Sequence, residues 1–218
     1  MKRAEARARF AGIDIYPVTC ERLSSGRSNL EILDGVIQGG AKIVQLREKE
    51  YSVRKLYQLA LSFREITEKF GVLLIINDHV DIALAVDADG VHLGNEDLPI
   101  AAARRIAPHL LIGASTHSLQ EALEAEAQGA DYVNIGPIFP TATKEGAQQF
   151  LGPEAIAAIG KHLRIPYTVM GGINESNIDQ VLAAGARRVA IVTAITQAPD
   201  IAEKVRYFRR RIAEWAEK

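Results

Sequence analysis

Gln45, Arg47 and Lys49 alternate with Leu46 and Glu48 at the end of an apolar run. In an extended chain the first three side chains face one side and the other two face the opposite side. Arginine grips phosphate oxygens bidentately and lysine adds a point charge, so a converging trio of this kind suits an anionic ligand. The plainer alternative is a surface charge cluster with Glu48 as its internal partner. The next apolar run stops at Asn77-Asp78, and the one after it is followed by Gly94-Asn95-Glu96-Asp97. Asn-Asp by itself often marks only a turn. Two carboxylates at neighbouring strand ends would repel each other, whereas a magnesium ion held between them and a diphosphate makes the pair sensible.

Further along, Gly113-Ala114-Ser115-Thr116-His117-Ser118 offers hydroxyls that can donate to phosphate or to a ring nitrogen. His117 could move a proton, and it could equally be a hydrogen-bonded structural imidazole. His92, inside an apolar run, reads as a core residue with a satisfied nitrogen. The stretch from Gly136 to Gly146 carries Pro140, Thr141, Thr143 and the cation Lys144, which is the composition of a loop that folds over a bound anion. Gly171-Gly172 would let backbone amides come close to a second phosphate, and Thr193 follows another apolar run.

The elements that must position these residues are legible as eight apolar runs: Ile13–Val18, Lys42–Leu46, Val72–Ile76, Gly90–Leu93, Leu110–Gly113, Tyr132–Gly136, Tyr167–Met170 and Val189–Val192. Between them, apolar residues at three- and four-residue intervals predict helices over Asn29–Gly39, Arg54–Phe70, Leu119–Gln128, Pro153–Ile159, Asn177–Ala184 and Ile201–Trp215. Ser118 with Glu121 three residues on is a capping-box pattern, and Gly39, Gly129 and Gly185 sit where helices need a left-handed exit. Pro99 and Pro153 fall at first helical turns. Strands apolar on both faces alternating with helices predict a parallel sheet closed into an α/β, (β/α)₈ TIM barrel, one domain spanning residues 1–218. The segment 1–12 is expected as a helix closing the barrel's bottom. An open doubly wound sheet is the competing topology, but no G-x-G-x-x-G turn follows the first strand. In a barrel every candidate above falls at the C-terminal ends of the strands, where active sites are built.

Bulk properties narrow the function. The 218 residues carry 26 Lys and Arg against 27 Asp and Glu, a net charge of −1, so nothing in the overall balance favours nucleic acid or an anionic membrane. The basic stretch Arg206 to Arg211 reads as a solvated helix end. No apolar stretch has the length of a membrane span. Cys20 is the only cysteine, which excludes an intrachain disulfide and fits the reducing cytoplasm. It reads as a small buried hydrophobe, with a catalytic thiol as the alternative. Met1 to Phe10 is basic but lacks an apolar signal core, so a targeting role is not expected. The chain could assemble as a homo-oligomer.

Seven motifs in order, QLREK (45–49), IIND (75–78), GVHLGNEDLP (90–99), IGAST (112–116), GADYVNIGPIFPTATK (129–144), GGI (171–173) and VAIVTAI (189–195), resemble thiamine-phosphate synthase. The resemblance implies a transferase that joins the pyrimidinylmethyl group of an aminopyrimidine diphosphate to hydroxyethylthiazole phosphate, with thiamine phosphate and pyrophosphate as products. It implies that Gln45, Arg47, Lys49, Asn77, Ser115 and Lys144 hold the pyrimidine diphosphate. Thr141, Thr143, Gly172, Val192 and Thr193 would hold the thiazole phosphate, Leu46, Glu48 and Ala142 complete the implied substrate-binding set, and Asp78 and Asp97 would ligate the cofactor Mg²⁺. Arg47, Lys49, Ser115 and Lys144 form the implied catalytic set. The chain has Thr193 where the family usually has serine and Met170 where isoleucine is common. A related thiazole tautomerase, with His117 at its base position, and a non-catalytic barrel that binds thiamine-related ligands are the competing readings.

Overall fold

The computed structural model describes residues 3–141 and 150–217. Eight strands form one parallel sheet: β1 (Ile15–Pro17), β2 (Ile43–Leu46), β3 (Leu73–Asn77), β4 (Gly90–Leu93), β5 (Leu111–Thr116), β6 (Tyr132–Ile135), β7 (Tyr167–Val169) and β8 (Val189–Ile191). From β2 to β8 each strand pairs with the next in sequence, and β1 pairs with β8. The remaining seam, β1 to β2, is held by a bridge between Val18 and Gln45 and by the Thr19 amide donating to the Gln45 carbonyl at 2.9 Å. The result is a nearly closed (β/α)₈ barrel. The strands are short, and every one is buried on both faces apart from single positions at the ends of β5 and β7. That is why they read as continuous apolar runs rather than alternating ones.

Around the barrel run α1 (Arg3–Ala11), α2 (Asn29–Gln38), α3 (Val53–Phe70), α4 (Val80–Ala85), α5 (Ile100–Ile106), α6 (Leu119–Ala127), α7 (Glu154–Gly160), α8 (Ile178–Ala183), the four-residue α9 (Thr193–Thr196) and α10 (Ile201–Ala216). The helices expected from periodicity all form, within a residue or two at each end. The short α4, α5 and α9 lack enough turns to show a period. The full capping box lies at Ser28, whose hydroxyl accepts from the Glu31 amide while Glu31 accepts from the Ser28 amide. At Ser118 only half of the expected box forms, because the Glu121 carboxylate turns to the His117 amide and imidazole instead. Gly39 ends α2 in right-handed geometry, and the left-handed exit falls one residue later at Gly40. Arg206 to Arg211 lies in the middle of α10 rather than at its end. Arg206, Arg209, Arg210 and Arg211 each face a carboxylate: Glu203, Asp14, Glu203 and Asp179 respectively.

Alternation divides the core in two. Val44, Leu46, Leu74, Ile76, Val91, Ile112, Val133 and Val169 face outward and pack under the helices. Tyr16, Ile43, Leu73, Ile75, Leu111, Tyr132 and Ala190 face inward and fill the barrel. The register Asn77–His92–Gly113–Tyr132 across β3 to β6 joins the last residue of β3 to the first of β6. The tilt of the strands therefore carries one interior row from the mouth of the barrel down to its floor.

The floor is closed by α1. Its Phe10 is buried, stacks on Tyr132 with ring centroids 4.1 Å apart and meets Tyr16 edge-on. Arg3 reaches Asp131, just before β6, and Arg9 donates to the Gly71 carbonyl ahead of β3. Two Ala-Asp pairs, Ala88-Asp89 and Ala130-Asp131, repeat one device at this end. Asp89 accepts from the Leu74 amide at 2.7 Å and from Arg64, while Asp131 accepts from the Ile112 amide at 2.9 Å and from Arg104. Each carboxylate thus ties the start of its strand to the neighbouring strand.

Candidate active site

A cavity open to solvent lies at the C-terminal ends of the strands. Its wall includes Gln45, Arg47, Lys49, Asn77, Asp78, Asp97 and Ser115 on one side, and Thr141, Gly172, Val192 and Thr193 on the other. These come from strands that share no local sequence, which is what closing the barrel achieves.

The β2 end delivers Gln45 and Arg47 inward because they lie two residues apart. Leu46 and Glu48 belong to the same expected ligand stretch, but their side chains do not line the cavity. Strand alternation turns Leu46 into the packing beneath the helices, and Glu48 accepts from the Glu21 amide at 2.7 Å. The Arg47 amide donates to the Thr19 hydroxyl at 3.2 Å, which anchors the strand end across the β1–β2 seam. The Arg47 guanidinium lies 4.0 Å from the Cys20 sulfur. Cys20 is buried, and burial pushes its thiol pKa up, against the pull of Arg47. It therefore behaves as the small hydrophobe expected, packed with Val18 and Val192.

Beyond β3 the chain turns at Asp78, which adopts a left-handed backbone with φ of 62°. Asp tolerates that region better than most residues, and strained backbone of this kind gathers at functional sites. Lys49 pairs with the Asp78 carboxylate. Burial raises the Asp78 pKa above the usual carboxylate value; Lys49 opposes the rise, and the nearby Asp97 carboxylate adds to it. Asp97 is steadied by the Gly94 amide at 2.6 Å. Two carboxylates close enough to raise the proton affinity of one of them, with the Lys49 ammonium on Asp78, form a hard oxygen donor set of the kind Mg²⁺ takes. Among the described residues no group of three or more His, Cys, Asp or Glu side chains comes together as a metal site.

Ser115 lies within β5 rather than after it, and accepts or donates with His92 Nε2 at 3.0 Å. His117 also lines the cavity, with Nδ1 3.0 Å from the Glu121 carboxylate. On the far wall, Gly171 and Gly172 have φ of 105° and 64°. A Cβ on Gly172 would stand 2.4 Å from the Pro140 carbonyl oxygen. The paired glycines thus do more than open space for a ligand: they let the β6 loop lie against the end of β7, where the Phe139 amide bonds the Gly171 carbonyl at 3.0 Å. Thr193 opens α9 directly after β8, where barrels of this kind hold phosphate. Ala142, Thr143 and Lys144 lie outside the described residues.

Reading the motifs alone passed over Tyr16, Tyr132 and Asn134, and treated His92 as plain core. His92 is indeed buried with both ring nitrogens satisfied, yet it also borders the cavity. Its interior position was legible from strand alternation. Its partners, contributed by two other strands, were not.

A parallel barrel whose mouth gathers an arginine, a lysine, two adjacent carboxylates and a glycine turn belongs to the phosphate-handling (β/α)₈ proteins. The family model described as thiamine monophosphate synthase matches residues 15–195. The thiamine-phosphate synthase of Chloroflexus aurantiacus is 46% identical over 204 residues, covering 94% of each chain. That of Pelotomaculum thermopropionicum is 45% identical over 201 residues, 92% of each. The solved thiamine phosphate pyrophosphorylase from Pyrococcus furiosus superposes with a TM-score of 0.87 at 38% identity, covering 96% of this chain and 98% of that one. The chain belongs to the thiamine monophosphate synthase family, whose members are transferases. A 3-hexulose-6-phosphate synthase, at 19% identity and a TM-score of 0.63, shares the fold alone.

Proposed function

We propose that this chain transfers the 4-amino-2-methylpyrimidin-5-ylmethyl group from its diphosphate to hydroxyethylthiazole phosphate by a dissociative route. What carries the reading is the division of the cavity: cations and the carboxylate pair cluster at β2 to β4, and the glycine turn and Thr193 stand across the barrel at β7 and β8. One half suits a diphosphate with its metal and the other a monophosphate.

The bond between the methylene carbon and the diphosphate oxygen breaks heterolytically, and its electron pair leaves with pyrophosphate. The aminopyrimidine ring stabilises the benzylic-type cation that remains. The thiazole nitrogen then donates its lone pair to that carbon, forming the new C–N bond of the thiazolium. The protein needs no nucleophile of its own. Arg47 and Lys49 face the charge that grows on the leaving group, and Ser115 donates a hydrogen bond there. Lys144 is assigned to the same group from its place in the sequence. Asp78 and Asp97 would hold Mg²⁺, which supplies further neutralisation of the diphosphate when bound. Gly172, Val192 and Thr193, with Thr141, hold the second substrate so that nitrogen and carbon meet over the barrel's centre. The lone Cys20 and the small-molecule substrates suit a cytoplasmic enzyme. No helix among the described residues is long and apolar enough to cross a membrane.

The test is to mix the protein with both substrates and Mg²⁺ and follow pyrophosphate release. The expected outcome is release coupled one-to-one to thiamine phosphate. No product under any metal condition would overturn the reading in favour of a tautomerase or a binder. Asp78→Ala should cut turnover by roughly two or more orders of magnitude while the chain still folds and melts cooperatively. Turnover near wild type in that variant would remove Asp78 from the metal site.

A further inference from the structure

An unbroken chain of hydrogen bonds crosses the barrel interior beneath the cavity. The Gln45 side-chain amide donates to the Tyr16 hydroxyl at 3.0 Å. The Tyr16 and Tyr132 hydroxyls are 2.9 Å apart. The Tyr132 hydroxyl meets His92 Nδ1 at 3.1 Å, and His92 Nε2 meets the Ser115 hydroxyl at 3.0 Å. The five residues come from β2, β1, β6, β4 and β5, and their ends, Gln45 and Ser115, both line the cavity.

We propose that Tyr16, Tyr132 and His92 are positioning residues, a one-way relay that fixes Ser115 as a hydrogen-bond donor toward the pyrimidine diphosphate. The inference rests on the proposed function for the identity of that ligand. The direction follows from counting hydrogens. Each phenol has one, and a neutral imidazole has one. Gln45 donates to Tyr16, so the hydrogen of Tyr16 goes to Tyr132. The hydrogen of Tyr132 then goes to Nδ1 of His92, which must be bare. The ring hydrogen therefore sits on Nε2 and points at the Ser115 oxygen. The Ser115 hydrogen is left over for the cavity. With the opposite direction Ser115 would spend its hydrogen on His92 and show a phosphate only lone pairs, which repel it.

Two further observations support the relay. Burial keeps both phenols protonated, raising their pKa values, and holds the imidazole neutral with its pKa lowered to about 4. Gly113, the interior residue of β5 between His92 and Tyr132 in register, has no side chain to obstruct the link. A Cβ there would lie 2.4 Å from the Tyr132 hydroxyl and 2.6 Å from His92 Nδ1.

Two measurements test this. The first is the ¹⁵N spectrum of protein labelled at histidine, with the His92 signals assigned by their loss in His92→Gln. The expected tautomer carries hydrogen on Nε2 with Nδ1 bare, and hydrogen on Nδ1 would overturn the relay. The second is a double-mutant cycle. Tyr132→Phe keeps the ring on Phe10 and the Gln45–Tyr16 bond, and breaks the chain only between Tyr16 and His92. It should lower kcat/KM for the pyrimidine diphosphate about tenfold in the wild-type background and less than about twofold in a Ser115→Ala background, with KM for the thiazole phosphate unchanged. Equal losses in the two backgrounds would mean a merely structural role. An inactive wild type would count against the proposed function, while the tautomer would still decide the relay.

Discussion

His92 illustrates how one buried side chain couples stability to the site. Burial lowers its pKa from 6.5 to about 4, with Asp97 pulling the value up and Lys49 pushing it down. The folded protein therefore binds the imidazole proton less tightly than the unfolded chain does. The neutral ring's contribution is complete above pH 6.5 and is lost as the pH falls toward 4. At one pKa unit per 1.36 kcal/mol, the whole effect is on the order of 3 kcal/mol. Denaturant unfolding of wild type and His92→Asn at pH 7, 5.5 and 4.5 checks the sign. The slope of stability against pH between these values should be shallower in the variant, and parallel curves would contradict the shift. At this scale the motifs were a good guide to residue type and a poor one to partnership. Arg47, Lys49, Asp78 and Asp97 stand out by charge at strand ends. Leu46 and Glu48, from the same stretch, face away because alternate residues of a strand cannot share a side.

At the scale of elements, the floor of the barrel holds what the mouth depends on. Asp131 is almost wholly buried and takes hydrogen bonds from the Ile112 amide, Arg3 and Arg104. Asp131→Ala leaves a buried amide without its acceptor and the Arg104 guanidinium without its counter-ion, and should cost about 3 kcal/mol in denaturant unfolding. Asp131→Asn, which keeps an acceptor oxygen, should lose less. Phe10→Ala removes the ring that α1 sets against Tyr16 and Tyr132, and is expected to cost about 3–5 kcal/mol by the same measurement. A loss below 1 kcal/mol would mean that α1 is not a structural plug. The helix itself was legible from sequence. That its one aromatic residue ends up as the barrel's floor was not, because Phe10, Tyr16 and Tyr132 meet only once β1 and β6 have closed the sheet.

For the whole molecule, the two halves of the cavity should be separable by ligand. On the proposed reading, pyrophosphate with Mg²⁺ is a ligand of the folded chain alone, so at about 100 times its Kd it should stabilise the protein by about 2.7 kcal/mol, read as a rise in the melting midpoint. The rise should disappear in Asp78→Ala and persist in Thr193→Ala, which stands across the barrel. A shift equal in wild type and Asp78→Ala would place pyrophosphate elsewhere. The eight apolar runs, the helical periods between them and the polar residues behind each run are local in the chain. They sufficed for the barrel and for many of the side chains that line its mouth, since a parallel sheet under helices needs apolar strands and leaves their C-terminal ends for polar residues. Whether residues from distant strands touch is a matter of closure, tilt and register. Those decided that Ser115 meets His92, that Gly113 makes room for Tyr132, and that the glycine pair seats the β6 loop. Such contacts join residues from separate strands, and no local pattern records them because the free energy that selects them is released only when the whole barrel packs.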